Sequence, residues 1–376
     1  MRSERHPARR AYIHPRRTLL AVVAGCLAGV APPSLARAQG CGCVAVQNHL
    51  TTGLIDADSQ GVALAARQWQ GSFGFRWYQS NRDFVGDVEQ LSGYGRAVNE
   101  TFSSDLSVSY RITSRWSVTL DAPFNHSHRA TSYEHDQFRT YTMTATGFGD
   151  LRLTTDVWLL DPHTHRDGNI ALGVGLSMPT GDSSATDTAH RAEGPVTRPV
   201  DLSIQPGTGG WGVILQIQAY QRIYRGLSAY LNGFYVLTPQ EQNGTEYPLA
   251  DLRSTAAYLT ASQTHNSIPD QYLVRVGFSQ VLWASQGLAA SLGCRLEGVA
   301  VDDLIGGSMG FRRPGYALSL EPGASWAYRG NSLAVTVPVA VYRNRQQSAP
   351  EAALDQLPGH AAFADVSVLA RFTRRF

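Results

Sequence analysis

The chain has no lysine; all 32 of its basic residues are arginine. Cysteine and methionine are scarce, at four each, and beyond residue 38 no apolar run approaches the roughly 20 residues that a membrane-spanning helix needs. Each shortage excludes something. Seven arginines and one acidic residue fall before residue 39, which leaves 25 arginines against 29 acids and a net charge of −4 in the remainder. Nucleic acid is therefore not an expected partner. The short apolar runs exclude a helical membrane protein. Beyond residue 38 the cysteines are Cys41, Cys43 and Cys294, an odd number that rules out a fully paired disulfide scaffold. Cys41 and Cys43 could close a tight disulfide or bind a metal, but an incidental pair is the simpler reading, and their state stays open.

The first 38 residues are laid out as an export signal. Basic Arg9, Arg10, Arg16 and Arg17 precede a 13-residue apolar run, and Ala36-Arg37-Ala38 follows as a peptidase site. Thirteen residues are too few to span a bilayer, so removal of residues 1–38 is expected. Arg16-Arg17-Thr18-Leu19-Leu20 resembles a twin-arginine signal, and Val23-Ala24-Gly25-Cys26 a lipoprotein box. Both rank lower: the first route carries folded cargo, and the apolar run continues past Cys26.

What the chain does have is 36 Gly, 7 Trp, 16 Tyr and 13 Phe, a composition that suits a soluble all-β protein or a membrane barrel. From Trp69 onward the residues alternate with period two. Trp69, Phe73, Phe75 and Trp77 share one face while Gln70, Ser72, Gly74 and Arg76 share the other. Twelve such segments follow one another, among them Phe102-Leu106-Val108-Tyr110, Ile170-Leu172-Val174-Leu176-Met178 and Val366-Val368-Ala370-Phe372, and no charge falls on any apolar face.

Alternation alone also fits a sandwich; the connections decide. Short links at 113–115, 224–226, 284–287 and 329–331, with a longer turn at 161–169, alternate with long ones at 81–96, 125–146, 180–210, 238–267, 298–314 and 343–360. The expected fold is an all-β transmembrane antiparallel barrel of about 12 strands, with short periplasmic turns and long extracellular loops. A sandwich or propeller has no reason to obey that rule. The expected organisation is signal 1–38, a periplasmic or lumen-plugging segment 39–67, and the barrel 68–376. Aromatics near strand ends fit interfacial girdles, and a last strand closing on Phe376 fits recognition by barrel-assembly machinery.

The opposite parity carries Arg76, Arg111, Arg152, Arg222, Arg275, Arg295 and Arg371 beside Asp105, Asp121, Asp150, Asp156, Glu297, Glu321 and Asp365. Seven arginines against seven acids describe a wet, internally paired wall without strong ion preference, and these are the candidate pore-lining residues. Either they line a translocation path or they merely fill the barrel. Twelve strands imply a narrow pore at most.

Chemistry beyond this has thin support. His126, His128 and His135 cluster in one expected loop and His163 and His165 in another link; the x-His-x-His spacing could serve a metal, but solvated loop histidines are commoner. An outer-membrane lipase would need a serine and a histidine on the barrel wall, and no histidine falls within an expected strand. Gly147-Phe148-Gly149 and Gly207-Thr208-Gly209-Gly210 lead into no helix and read as tight turns, not phosphate loops. No catalytic residue, metal or cofactor is expected.

Three stretches carry a family resemblance: Gly147-Phe148-Gly149-Asp150-Leu151-Arg152, Leu176-Ser177-Met178-Pro179-Thr180-Gly181-Asp182 and Gln205-Pro206-Gly207-Thr208-Gly209. They resemble the G-x-G-D-L, L-P-T-G-D and Q-x-G-T-G signatures of the MetA-pathway phenol-degradation family, with Met178 in place of the usual leucine. The resemblance implies an outer-membrane channel for aromatic and other hydrophobic compounds and carries over no catalytic residue. Asp150 and Asp182 are expected to shape the mouth or, more simply, to stabilise turns. The expected function is a passive channel for small hydrophobic or aromatic solutes, surrounded by outer-membrane lipid and lipopolysaccharide. The alternatives are a lipase-type enzyme and a closed structural or adhesive barrel; a lumen blocked by its own arginines and acids would favour the last.

Overall fold

A computed structural model describes residues 66–90, 97–132, 134–247, 261–355 and 358–376. The export signal, the alternatives at Arg16 and Cys26, Cys41 and Cys43, and nearly all of segment 39–67 lie outside the described residues.

Twelve antiparallel strands form the wall: β1 (Gln68–Val85), β2 (Val98–Arg111), β3 (Trp116–Thr131), β4 in two segments (Tyr141–Phe148 and Leu151–Trp158), β5 (Gly168–Met178), β6 (Gly212–Tyr224), β7 (Leu227–Leu237), β8 (Gln271–Trp283), β9 (Leu288–Val299), β10 (Gly315–Tyr328), β11 (Asn331–Thr336 and Val339–Arg345) and β12 (Ala361–Arg375). Each pairs with its neighbour in sequence, and β12 returns to β1 with Phe73 opposite Phe372 and Trp77 opposite Val368. Closure leaves no sheet edge in the membrane, where unpaired peptide groups would find no water.

The period-two pattern becomes two faces. Leu106, Leu120, Leu153, Leu172, Val174, Leu215, Leu292, Leu333 and Phe372 stand exposed on the outside, while the intervening residues are buried inside. An exposed apolar belt of this kind is at home in lipid. At the turn between β8 and β9, Gly287 sits at φ +68°, and a Cβ there would lie 1.8 Å from the Ala327 carbonyl oxygen, so only glycine closes it.

Strand lengths are uneven. Eleven residues of β5, at about 3.3 Å each and tilted by about 40°, rise about 28 Å, enough to cross the membrane and little more. The 18 residues of β1 continue well beyond. On this tall side the outward residues change from Trp77, Phe102, Phe124 and Phe148 to Gln79, Glu100, His126, His128, Thr144 and Thr146, which marks the outer membrane boundary. This corrects one expectation. His126 and His128 are not loop residues but lie on β3, which runs on to Thr131. The strand outlasts its apolar face because its upper part faces water.

Candidate functional site

The inner wall carries one connected charge network that reaches up to the level of the outer girdle. Arg76 Nη2 donates to Glu297 Oε1 at 3.1 Å; Arg295 donates to Glu297 at 2.8 Å and to Glu321 at 3.5 Å; Arg275 Nε donates to Glu321 Oε1 at 2.7 Å. All five side chains are buried. β10, β11 and β12 separate β1 from β9, so the Arg76–Glu297 pair is a chord across the lumen. Alternating the signs along the chain offsets the desolvation of each member, which an isolated buried charge could not survive.

A second group lies around β12, β2 and β3. Arg371 donates to Asp105 at 2.8 Å, Ser107 bridges Asp105 and Asp121, and Arg152 is buried in the field of Asp121, Asp150 and Asp105. Asp156 accepts from Gln216 Nε2 at 2.5 Å, and Arg111 donates to the Ser114 carbonyl at the periplasmic end. Two of the sequence-derived candidates stand apart. Arg222 is exposed at the periplasmic rim with Asp167 at 2.5 Å, and Asp365 lies partly exposed toward the other end, beside Arg82 at 2.9 Å and Arg343. They share the inward parity but sit where the strands leave the packed lumen.

Asp150 belongs to a knot at the break in β4. Its carboxylate accepts from the Gly181 N–H at 3.0 Å, the Thr208 N–H at 2.8 Å and the Thr208 hydroxyl at 2.6 Å. Gly149, Gly181 and Gly207 meet beside it so closely that a Cβ on Gly207 would lie 2.4 Å from the Gly181 carbonyl carbon. The three stretches that carry the family resemblance therefore converge on one point. Asp182 stabilises its own turn, accepting from the Ser184 N–H at 2.8 Å.

Above the knot, the 141–148 segment of β4 pairs only with β3. Its other edge receives the loop that follows β5: Asp187 accepts from the Thr144 N–H at 2.8 Å. The inward side chains Met143 and Ala145 pack against Ala189, Val200 and Ile204 of the same loop. Apolar contact with the inner face pulls this loop, which contains the hairpin Thr186–Arg191 and Gly194–Pro199, into the mouth.

An ion-pair lock holds it there. Asp201 is fully buried and receives Arg313 from the loop after β9 at 2.8 and 2.7 Å. Arg129, on the inner face of β3, lies 3.9 Å from Asp201 and donates to Glu134 at 2.8 Å. Burial drives the Asp201 carboxyl toward protonation, but Arg129 and Arg313 overcome it and hold the group well below the usual carboxylate range. The Arg313 guanidinium also covers Phe311 at 4.9 Å, and Phe311 stacks on Tyr247 of the loop after β7 at 3.7 Å. Nearby, His135 accepts at Nδ1 from the His190 N–H at 3.0 Å. Burial, then His190 and Arg191, push it down to about 4.

An apolar patch interrupts the polar inner wall on three adjacent strands. Ile214, Phe234 and Leu273 are buried together on β6, β7 and β8, with Val236 beside them. Sequence reasoning missed both this patch and the lock. The patch had a signal: Val213-Ile214-Leu215, Phe234-Tyr235-Val236 and Tyr272-Leu273-Val274 are apolar at both parities, where a lipid-facing strand needs only one. The lock had none, because loop residues have no periodicity to read.

The outward histidines engage threonines, His126 Nδ1 with Thr146 Oγ1 at 2.6 Å and His128 Nδ1 with Thr144 Oγ1 at 3.0 Å. His163 and His165 are exposed in the long turn. Among the described residues no three His, Cys, Asp or Glu side chains gather as metal ligands.

Wall, girdles and connections together define an outer-membrane β-barrel, closed by 12 strands. No protein-family model matches the chain, and neither does any curated protein. Among solved structures it is similar to the COG4313 outer membrane channel from Pseudomonas putida F1, with a TM-score of 0.57 and 12% identity over 87% of this chain and 100% of that one. The toluene transporter TodX of P. putida aligns at a TM-score of 0.41 and 8% identity, over 90% of this chain and 99% of the other.

Proposed function

We propose that the chain is a passive outer-membrane channel for a small hydrophobic or aromatic solute. The observation that carries the reading is the Ile214–Phe234–Leu273 cluster: apolar side chains buried on the inside of a barrel serve neither the lipid face nor a water-filled pore, and they suit a path for an apolar solute. The fold shared with an outer-membrane channel supports the class of function. The ion-paired candidates Arg76, Asp105, Arg275, Arg295, Glu297, Glu321 and Arg371 would border the path and narrow it. Transport is diffusive in this reading, and no side chain is given a catalytic role. Lipid and lipopolysaccharide surround the apolar belt.

A second reading is a closed structural barrel, favoured by the Arg76–Glu297 chord and the buried state of the wall around it. Single-channel recording of the folded barrel in planar bilayers, with and without phenol or toluene, separates the two. Discrete steps blocked by the aromatic solutes support the channel and its substrate class. Silence from barrels shown to be folded supports the closed barrel and removes the channel.

A further inference from the structure

Among the described residues, the exposed charges of the two barrel rims are opposite in sign. At the short-turn end, Arg115, Arg166, Arg225 and Arg329 lie exposed in four of the five turns, Arg222 stands beside them, and Arg67 and Arg374 are exposed where the first and last strands meet. Asp167 is the only exposed acid among the described residues of that rim, and it is already engaged by Arg222. At the long-loop end the balance reverses: among the described residues Asp87, Asp182, Glu193, Asp302 and Asp355 are exposed, against Arg139. Ion pairing accounts for little of the arginine rim, since Asp161 and Asp167 are the only acids in these turns; Arg115 in addition donates to the Trp158 and Leu159 carbonyls at 2.8 Å each. The lumen, whose charges are paired inside, does not explain the rim either.

We propose that the periplasmic rim is a binding surface for anionic phospholipid of the inner leaflet, with the arginines gripping headgroup phosphates. Three observations favour lipid over a protein partner. The arginines follow the circumference, turn after turn, whereas a docked protein covers one side. They alternate with Trp69, Trp116, Tyr224, Trp283 and Tyr328, all exposed, and such rings settle at headgroup depth. Two guanidiniums lie directly against girdle rings, Arg329 over Tyr328 at 5.0 Å and Arg374 over Phe376 at 5.3 Å, which keeps the charge at that depth.

A cavity of about 650 Å³ at this rim shows the combination most fully. Arg222 and Arg225 line it together with Asp167, Ile223, Tyr224 and Val281; Asp167 engages Arg222, so Arg225 is the cation that meets the apolar wall at the boundary between a phosphate and an acyl chain. Arginine is the suitable cation, because its planar fork takes two phosphate oxygens at once and loses no charge near the membrane. The short turns face the periplasm in barrels of this architecture, so the leaflet is the inner one.

The test uses the folded barrel in nanodiscs that contain phosphatidylcholine and phosphatidylglycerol in equal amounts, released into native mass spectrometry to count the lipid retained. Wild type is expected to keep phosphatidylglycerol in preference, and the preference to fall by about fivefold for each rim arginine replaced in the series R115Q, R225Q, R329Q and R374Q. R139Q, on the opposite rim, should leave it unchanged. If a multiple variant folds poorly, salt titration of wild type replaces it, and the preference should collapse between low and high ionic strength. Equal retention of the two lipids by folded wild type overturns the proposal. So does a preference that survives all four substitutions, or one that R139Q removes as effectively. Binding of soluble peptidoglycan fragments by the rim without lipid preference would assign the surface to the cell wall instead and equally overturn it.

Discussion

Arg313 donates to both carboxylate oxygens of Asp201, at 2.8 and 2.7 Å, across 112 residues of sequence, and so ties the loop after β9 to the loop after β5 inside the barrel mouth. The pair is buried, which sets its energetics. Breaking a buried pair by removing one member costs about 3–5 kcal/mol where nothing else compensates, and less for Asp201 because Arg129 stays 3.9 Å away, whereas removing both members is milder still.

Arg313→Met is therefore expected to release the loop that follows β5, since Arg129 at 3.9 Å is too far to replace a forked pair. Limited proteolysis should cut residues 183–199 much faster in the variant, and channel recordings should show longer openings. The double variant Arg313→Met with Asp201→Leu should be cut more slowly than the single one. Equal protease resistance in wild type and Arg313→Met would remove the lock.

The glycine knot calls for a different change. A Cβ on Gly181 would lie 2.7 Å from Gly207 Cα and 2.8 Å from Gly149 Cα, all backbone that cannot swing aside. Gly181→Ala should thus open the knot and expose Asp150. Asp150→Asn keeps the shape but weakens three charge-assisted hydrogen bonds, which costs about 1.5–3 kcal/mol. Thermal unfolding in detergent, followed by gel mobility of folded and unfolded barrel, should rank wild type above Asp150→Asn and Asp150→Asn above Gly181→Ala. A Gly181→Ala barrel as stable as wild type would mean that the knot is dispensable.

These two features mark the limit of what the sequence discloses. Lipid imposes period two, so all twelve strands and the alternation of turns and loops are legible between the girdles. Where β1 and β3 rise above the membrane, water wets both faces and the pattern stops, which is why His126 and His128 read as loop residues. The inward parity of Arg76, Arg275, Arg295, Glu297, Glu321 and Arg371 is visible in the same alternation, but their pairing is not, because a chord such as Arg76–Glu297 depends on closure of the whole sheet. Asp150, Gly181 and Gly207 attract notice as motif residues, yet nothing in their spacing says that they touch. Asp201, Arg313 and His135 lie in loops where neither periodicity nor motif singles them out.

His135 gives the mouth a pH dependence whose sign follows from its burial. An unfolded histidine titrates near 6.5, and in place this one is pushed down to about 4, because protonation would charge a buried ring and break its bond from the His190 N–H. The native loop arrangement thus keeps its full histidine contribution above about pH 6.5 and loses it progressively as pH falls toward 4. His190 and Arg191 reinforce the effect, while Asp136 and Asp187 oppose it. Glu134, raised by burial against the pull of Arg129, works in the other direction, so comparison with His135→Asn isolates the histidine. Hydrogen-exchange protection factors of residues 134–147 and 186–200, corrected for the intrinsic pH dependence of exchange, should fall between pH 6.5 and 4.5 in wild type and less so in the variant. Identical profiles for the two would exclude His135 as the cause.

The chord and the apolar patch make separable demands on the channel reading. Glu297→Gln removes the charge that joins Arg76 to Arg295 while Glu321 still holds Arg275 and Arg295, so the wall should stay folded as the crossing contact weakens. Larger single-channel steps are the expected result, with block by toluene retained. Phe234→Ser should do the reverse, since it lies on the patch and not in the network: steps of wild-type size, and block that needs several-fold more toluene. If Phe234→Ser left the block untouched while Glu297→Gln enlarged the steps, the barrel would still conduct, but the aromatic substrate class would have to be given up. If neither variant altered a silent barrel, the Arg76–Glu297 chord would be part of a permanently filled core.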